Sequence, residues 1–304
     1  MGAGPATAAV RSCPLVTAGD HASTIAVLGA TGRQGGAVAR RLLADGWQVR
    51  ALTRSPASPA ARKLAAAGAE VIAADMADAT SLDAAFAGAH GVYSVQNPVT
   101  SSLEAEVEHG RNVADAARRA NVRHVVYGSA GTGAPGTGVG SWDSKLRIEA
   151  HMRELGLPVT VLRPMAFMEL MTDKAFYPPL STWHVMPKLL GGSTPVPWTA
   201  VEDLGAVAAA VFAERGRFVG RDLPLASDLR PIDECREIHR EVLGRRPRRL
   251  PMPVWMFERV AGTDLTTMWR WWRRAQPQTD TRTLREIWPG ALTVREFLER
   301  RTAS

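Results

Sequence analysis

From residue 24 to residue 163 the chain alternates two apolar patterns. Short runs rich in β-branched residues predict buried strands, and stretches with apolar residues at i and i+4 predict helices packed by one face. The strand runs lie at 24–28, 47–53, 69–73, 91–95, 123–127 and 159–163. Between them, helices are expected at 37–44, 58–67, 81–87, 102–120 and 143–155, and 29–36 reads as a turn. In the first helix Val38 pairs with Leu42 and Ala39 with Leu43, while Gly68 stops the second. Strands alternating with helices give parallel strands, right-handed crossovers and helices on both faces. The expected class is α/β, a Rossmann-type doubly wound parallel sheet.

After Pro164 the rhythm changes. Prolines stand at 178, 179, 187, 195 and 197, a clear helix covers 202–215, and tryptophans recur at 255, 269, 271, 272 and 288. A smaller, partly helical C-terminal lobe is therefore expected over 165–304, intertwined with the last strands of the sheet. The Rossmann-type domain spans 23–164, and residues 1–22, small and polar-interrupted, read as a disordered tail.

An apolar content of 45% in 304 residues is enough for a large core. No run approaches the roughly 20 apolar residues of a membrane helix. Cys13 and Cys235 imply no disulfide framework, the histidines show no metal-ligand spacing, and a reducing cytoplasm is the simplest compartment. The net charge of +7 is carried by arginine, with lysine only at 63, 145, 174 and 188. Spread arginine is weak ground for a nucleic-acid partner.

The turn Gly29-Ala30-Thr31-Gly32-Arg33-Gln34-Gly35 joins a strand to a helix and carries the strongest chemical signal. Gly29 permits the tight exit, Gly32 lets main chain approach a pyrophosphate, and Gly35 lets helix and strand pack closely. Free N–H groups at the helix start hold the anion. The second strand ends Leu52-Thr53-Arg54, with no carboxylate to accept from a ribose 2′-hydroxyl. Arg54, and Arg33 within reach, suit a 2′-phosphate, so the cofactor is read as NADP(H). Asp75 and Met76 close the third strand, where Asp75 either borders an adenine or caps the next helix. The amides of Gln96 and Asn97 end the fourth strand and border the ribose or nicotinamide. Pro164 and Phe167 follow the sixth strand and form a wall against the nicotinamide or ordinary packing.

These motifs resemble the NmrA-like family of atypical short-chain dehydrogenase/reductase proteins. The resemblance is carried by the glycine turn with Ala51-Leu52-Thr53-Arg54, by Val125-Val126-Tyr127-Gly128-Ser129, and by Trp142-Asp143-Ser144-Lys145 with Glu149. Leu162-Arg163-Pro164 with Phe167-Met168-Glu169, and Val201-Glu202-Asp203-Leu204-Gly205, continue it towards Leu298. It implies NADP(H) in a cleft between two lobes. Some members are redox sensors that bind protein partners, and others reduce quinones or related small molecules.

Short-chain dehydrogenases place Tyr and Lys at i and i+4 on one helix for proton transfer. Here Lys145 is present, but Ser141 stands four residues earlier. Lys145 is read as a catalytic or ribose-binding group, or else as a surface lysine. Ser129 at the sheet's edge contacts substrate or caps a turn. The expected function is an NADPH-dependent oxidoreductase on a small apolar substrate of quinone, enone or imine type. The alternative is a non-catalytic NADP(H) sensor acting through a protein partner or as a homodimer.

Overall fold

The computed structural model describes residues 23–97, 102–173, 181–247 and 252–302. The tail expected at 1–22 with Cys13, together with Lys174, Pro178 and Pro179, lies outside the described residues. The strands are β1 (Thr24–Val27), β2 (Gln48–Thr53), β3 (Glu70–Ala73), β4 (Gly91–Ser94), β5 (His124–Gly128), β6 (Val159–Pro164), β7 (Ala166–Phe167), β8 (Pro195–Thr199), β9 (Asp222–Leu225) and β10 (Asp228–Pro231). A seven-stranded parallel sheet has the order β3-β2-β1-β4-β5-β6-β9, and β10, β8 and β7 form a second, smaller sheet. The large sheet thus takes its outermost strand from beyond residue 164.

The helices of the first half are α1 (Arg33–Ala44), α2 (Pro59–Ala66), α3 (Ala79–Phe86), α4 (Leu103–Arg119) and α5 (Gly140–Glu154). Three of them start where a side chain takes up a free N–H of the first turn: Ser58 for α2, Asp78 for α3 and Ser102 for α4. Later come α6 (Met186–Leu190), α7 (Val201–Ala213), α8 (Arg215–Phe218), α9 (Ile232–Leu243), α10 (Val254–Ala261), α11 (Asp264–Ala275), α12 (Arg282–Ile287) and α13 (Val294–Thr302).

Two apolar layers sandwich the sheet. On one side Val38 and Leu42 of α1 meet Leu204, Val207 and Val211 of α7. On the other, Leu82 of α3, Val113 of α4 and Ile148 of α5 cover Val92 and Val125. A third cluster, with Trp183, Trp198, Phe257, Trp269 and Trp272, fills the C-terminal lobe. The α1–α7 contact is backbone-close: a Cβ on Gly205 would stand 2.8 Å from the Ala37 carbonyl oxygen.

Two boundaries correct the sequence reading. The first helix begins at Arg33 rather than at 37, so Gly35 and Gly36 are helical and only 29–32 turn. Two glycines had hidden that first helical turn, since glycine carries no apolar period. The helix expected at 202–215 spans Val201–Ala213 and gives way to the short α8.

Candidate functional site

The sheet order reverses beside β1, whose neighbours are β2 and β4. In such sheets the crevice beyond the strands' carboxyl ends at the reversal is where ligands bind. The glycine turn leaves β1 there. Gly29 has φ +60°, the left-handed region, and the Gly32 N–H closes the turn on the Gly29 carbonyl at 2.8 Å. A Cβ on Gly35 would stand 2.4 Å from the carbonyl oxygens of both Leu28 and Gly29, so only glycine permits this helix–strand approach. At Gly32 the equivalent contact is 3.1 Å, a milder demand from the chain itself. The first turn of α1 has no side-chain cap and no acidic residue, which leaves its positive end available to an anion. The cradle therefore fits a pyrophosphate.

Thr31 Oγ1 lies 3.4 Å from Thr53 Oγ1, tying the turn to the tip of β2. Arg54 follows, exposed, with no hydrogen bond or ion pair among the described residues. Arg33 differs from expectation. Its Nε and Nη2 lie 2.8 and 2.7 Å from Asp173 Oδ2, a carboxylate partner the sequence reading did not supply. Gln34 turns inward, where the Tyr93 hydroxyl donates to its Oε1 at 3.5 Å. Burial raises the Tyr93 phenol above its ordinary range.

Asp75 Oδ1 accepts the Ala77 N–H at 3.0 Å in a local turn. The cap of α3 is Asp78, which corrects the capping alternative for Asp75. Met76 is held through its carbonyl by Asn112 Nδ2 at 3.0 Å and through sulfur by Gln96 Nε2 at 3.7 Å. Gln96 also donates to Ser94 Oγ at 3.0 Å, and its Oε1 is buried without a partner among the described residues. Asn97 is exposed, Pro164 is buried at the end of β6, and Phe167 is half-buried against the layer that holds α1 and α7.

Lys145 is no surface lysine, being 7% exposed. Its Nζ donates to Glu106 Oε1 at 2.5 Å and to the Gln96 carbonyl at 3.3 Å. The ammonium therefore reaches the end of β4 from α5, beside one of the groups expected at the cofactor. Ser141, at the position of the missing phenol, directs its hydroxyl and its N–H to Asp264 of α11.

Ser129 is placed differently from either reading. It is 2% exposed, its Oγ donates to Glu149 Oε1 at 2.6 Å, and it accepts from Arg163 Nη1 at 3.3 Å. Arg163 grips Glu149 with both nitrogens, at 2.9 and 2.5 Å, and reaches Asp222 Oδ2 at 2.7 Å. This network fastens β5, α5, β6 and β9 together, and a substrate-facing role for the Ser129 hydroxyl is corrected accordingly.

Sequence reasoning passed over Glu106, Asp173, Asp264 and the partnership of Glu149 with Arg163. Glu106 carried a signal: it lies one turn before Gly110 and two before Val113 on the apolar face of α4. Glu169, whose two oxygens accept the Val201 N–H at 3.2 and 3.3 Å, is pushed up to about 7 by burial. Asp203 accepts from Ser227 Oγ at 2.6 Å and the Leu292 N–H at 3.0 Å, and burial pushes it up to about 6. Both carboxylates join α7 to its surroundings. No helix among the described residues is long and apolar enough to cross a membrane.

The parallel sheet, its reversal and the glycine cradle define a Rossmann-type α/β protein. Residues 21–298 match the NmrA-like family, and the chain belongs to that family. It is 32% identical over 258 residues to the NmrA-like family domain-containing oxidoreductase FrzB of Cladobotryum sp, covering 76% of this chain and 77% of that one. Its fold is similar to that of NmrA, a negative transcriptional regulator solved with NADP, with TM-score 0.74, 22% identity, and 92% and 95% of the two chains covered. It is also similar to the Citrobacter sp. triphenylmethane reductase complexed with NADP(H), with TM-score 0.73, 22% identity and 92% and 99% covered.

Proposed function

We propose that this protein is an NADP(H)-dependent oxidoreductase acting on a small apolar substrate. The observation that carries the reading is Lys145, a buried ammonium brought to the end of β4 beside Gln96. The main-chain N–H groups at the start of α1 hold the pyrophosphate, and Arg54 holds the 2′-phosphate. Met76, Gln96 and Asn97 border the adenosine and ribose side of the crevice, and Pro164 and Phe167 back the nicotinamide. When bound, the cofactor supplies the hydride. Lys145 hydrogen-bonds the nicotinamide ribose and presents a proton towards the substrate. Met165, Leu170, Met268 and Trp271, partly buried around the C-terminal core, supply apolar surface suited to a quinone, enone or imine. FrzB, described as an oxidoreductase, and the triphenylmethane reductase bound to NADP(H) support the same chemistry.

A second reading rests on Ser141. Its hydroxyl is engaged with Asp264, and position 141 offers no phenol to Lys145 one turn further along α5. That arrangement, and the similarity to NmrA with NADP, favour a sensor that works through a protein partner or a second copy in the cytoplasm. NADPH oxidation across quinones, enones and imines separates the two. Turnover that disappears in Lys145→Met, with NADPH binding retained, supports the enzyme. No turnover on the whole panel, with different conformational responses to NADP and NADPH, overturns it in favour of the sensor.

A further inference from the structure

The α4–α5 contact explains how a lysine comes to be held still. A Cβ on Gly110 would stand 2.5 Å from Ile148, so the two helices nearly touch there. One turn earlier on each helix stand Glu106 and Ser144, and Lys145 follows. Glu106 is fully buried and uses both carboxylate oxygens. Oε1 accepts from Lys145 Nζ at 2.5 Å, and Oε2 accepts from the Ser144 hydroxyl, which also contacts the Ser141 carbonyl at 3.2 Å. The carboxylate cannot rotate without losing both partners. On the other side, the Gln96 carbonyl takes a second N–H of the ammonium at 3.3 Å. The third N–H has no acceptor among the described residues.

We infer that Glu106 is a positioning residue: it clamps the Lys145 ammonium, with Ser144 bracing the clamp, so that one N–H is held for the cofactor ribose or the substrate. The inference rests on the reading of Lys145 as a cofactor-site group. A lysine has four rotatable bonds and is a poor directional donor unless fixed by partners. A buried ion pair is also a weak source of net stability compared with apolar packing of the same volume. Around the pair the same two helices pack through Val107 and Val113 of α4 and Ile148 and Met152 of α5, so apolar packing was an available alternative, and the pair is accounted for by what it orients.

The test uses full-length protein labelled with 15N-lysine, whose few lysines keep the spectrum simple, together with Glu106→Gln, Glu106→Asp and Lys145→Met. In the unsubstituted protein a slowly exchanging ammonium resonance, absent in Lys145→Met, is expected to shift on adding NADPH. Glu106→Gln is expected to lose that resonance by fast exchange and to bind NADPH within about threefold of the unsubstituted protein. It is also expected to lose at least tenfold in kcat with little change in KM for the reduced substrate. Glu106→Asp, which keeps the charge, recovers part of both signals. A Glu106→Gln protein with the resonance, its NADPH shift and kcat all intact overturns the clamp, even if its melting temperature falls. A Lys145→Met protein with unchanged NADPH affinity and unchanged kcat overturns the role of Lys145 itself, whatever Glu106 does.

Discussion

Arg33, at the first position of α1, is ion-paired with Asp173, 140 residues further along the chain. The pair joins the glycine turn to the chain that follows β7. Both side chains are partly exposed, 36% and 29%, so the pair contributes on the order of 1 kcal/mol or less. A phosphate bound at the turn competes with Asp173 for the same guanidinium. Asp173→Asn is therefore expected to tighten NADPH binding several-fold in isothermal calorimetry at low salt. An unchanged or weaker affinity would place Arg33 outside the phosphate site.

Arg54 stands in the opposite condition, with no protein partner among the described residues. On the proposed reading, Arg54→Asp exchanges a phosphate ligand for a carboxylate that accepts from a ribose hydroxyl. The loss for NADPH is expected to be about 1.5–3 kcal/mol, the scale of a hydrogen bond to a charged group, with NADH binding equal or better. Paired titrations of both nucleotides check it, and equal weakening of both would refute the assignment.

The Ser129–Glu149–Arg163–Asp222 network predicts a division between stability and turnover. Arg163→Met takes the bidentate partner from the buried Glu149 carboxyl and leaves it only Ser129 and the 3.4 Å contact of Arg153, which costs about 3 kcal/mol in urea unfolding. Ser129→Ala removes one hydrogen bond and costs about 1 kcal/mol. NADPH affinity and kcat of Ser129→Ala are expected to stay within threefold. A large loss of kcat in a stably folded Ser129→Ala would restore this hydroxyl to the chemistry.

Glu169 and His124 give opposing pH dependences. Burial raises Glu169 from 4.5 to about 7, so the folded protein binds its proton more tightly than the unfolded chain. That contribution is fully present below pH 4.5 and is lost as pH rises to about 7. Burial lowers His124 from 6.5 to about 3, so its contribution is present above pH 6.5 and is lost as pH falls towards 3. In Glu169→Gln the first effect is absent. Its stability relative to the unsubstituted protein is expected to improve between pH 4.5 and 7, by on the order of 3 kcal/mol at most. Urea unfolding at several pH values measures this, and a pH-independent difference would contradict it.

From residue 24 to residue 163, strand and helix positions were legible to within a few residues because burial imposes a period wherever an element has an apolar face, whereas the short strands and helices beyond 164 were not placed one by one. The glycine turn was legible because its demands are local: positive φ at Gly29 and carbonyl contacts at Gly35 arise from residues within a few positions. The place of Arg54 beside the turn followed from the fold class, since the end of β2 lies there. What the sequence did not show at Ser129 and Arg33 has one shared reason. Each side chain is directed by a carboxylate distant in sequence, Glu149 in one case and Asp173 in the other.

By itself, then, the amino-acid order determined the parallel sheet, the glycine turn that leaves its first strand, and a lysine with serine rather than tyrosine four residues before it. Only the tertiary structure decided which charges meet: Glu106 with Lys145, Arg163 with Glu149, Ser141 with Asp264. Periodicity reports which face of an element is hidden from water. It carries no information on which neighbour lies across the contact, and a buried polar group takes its role from that neighbour.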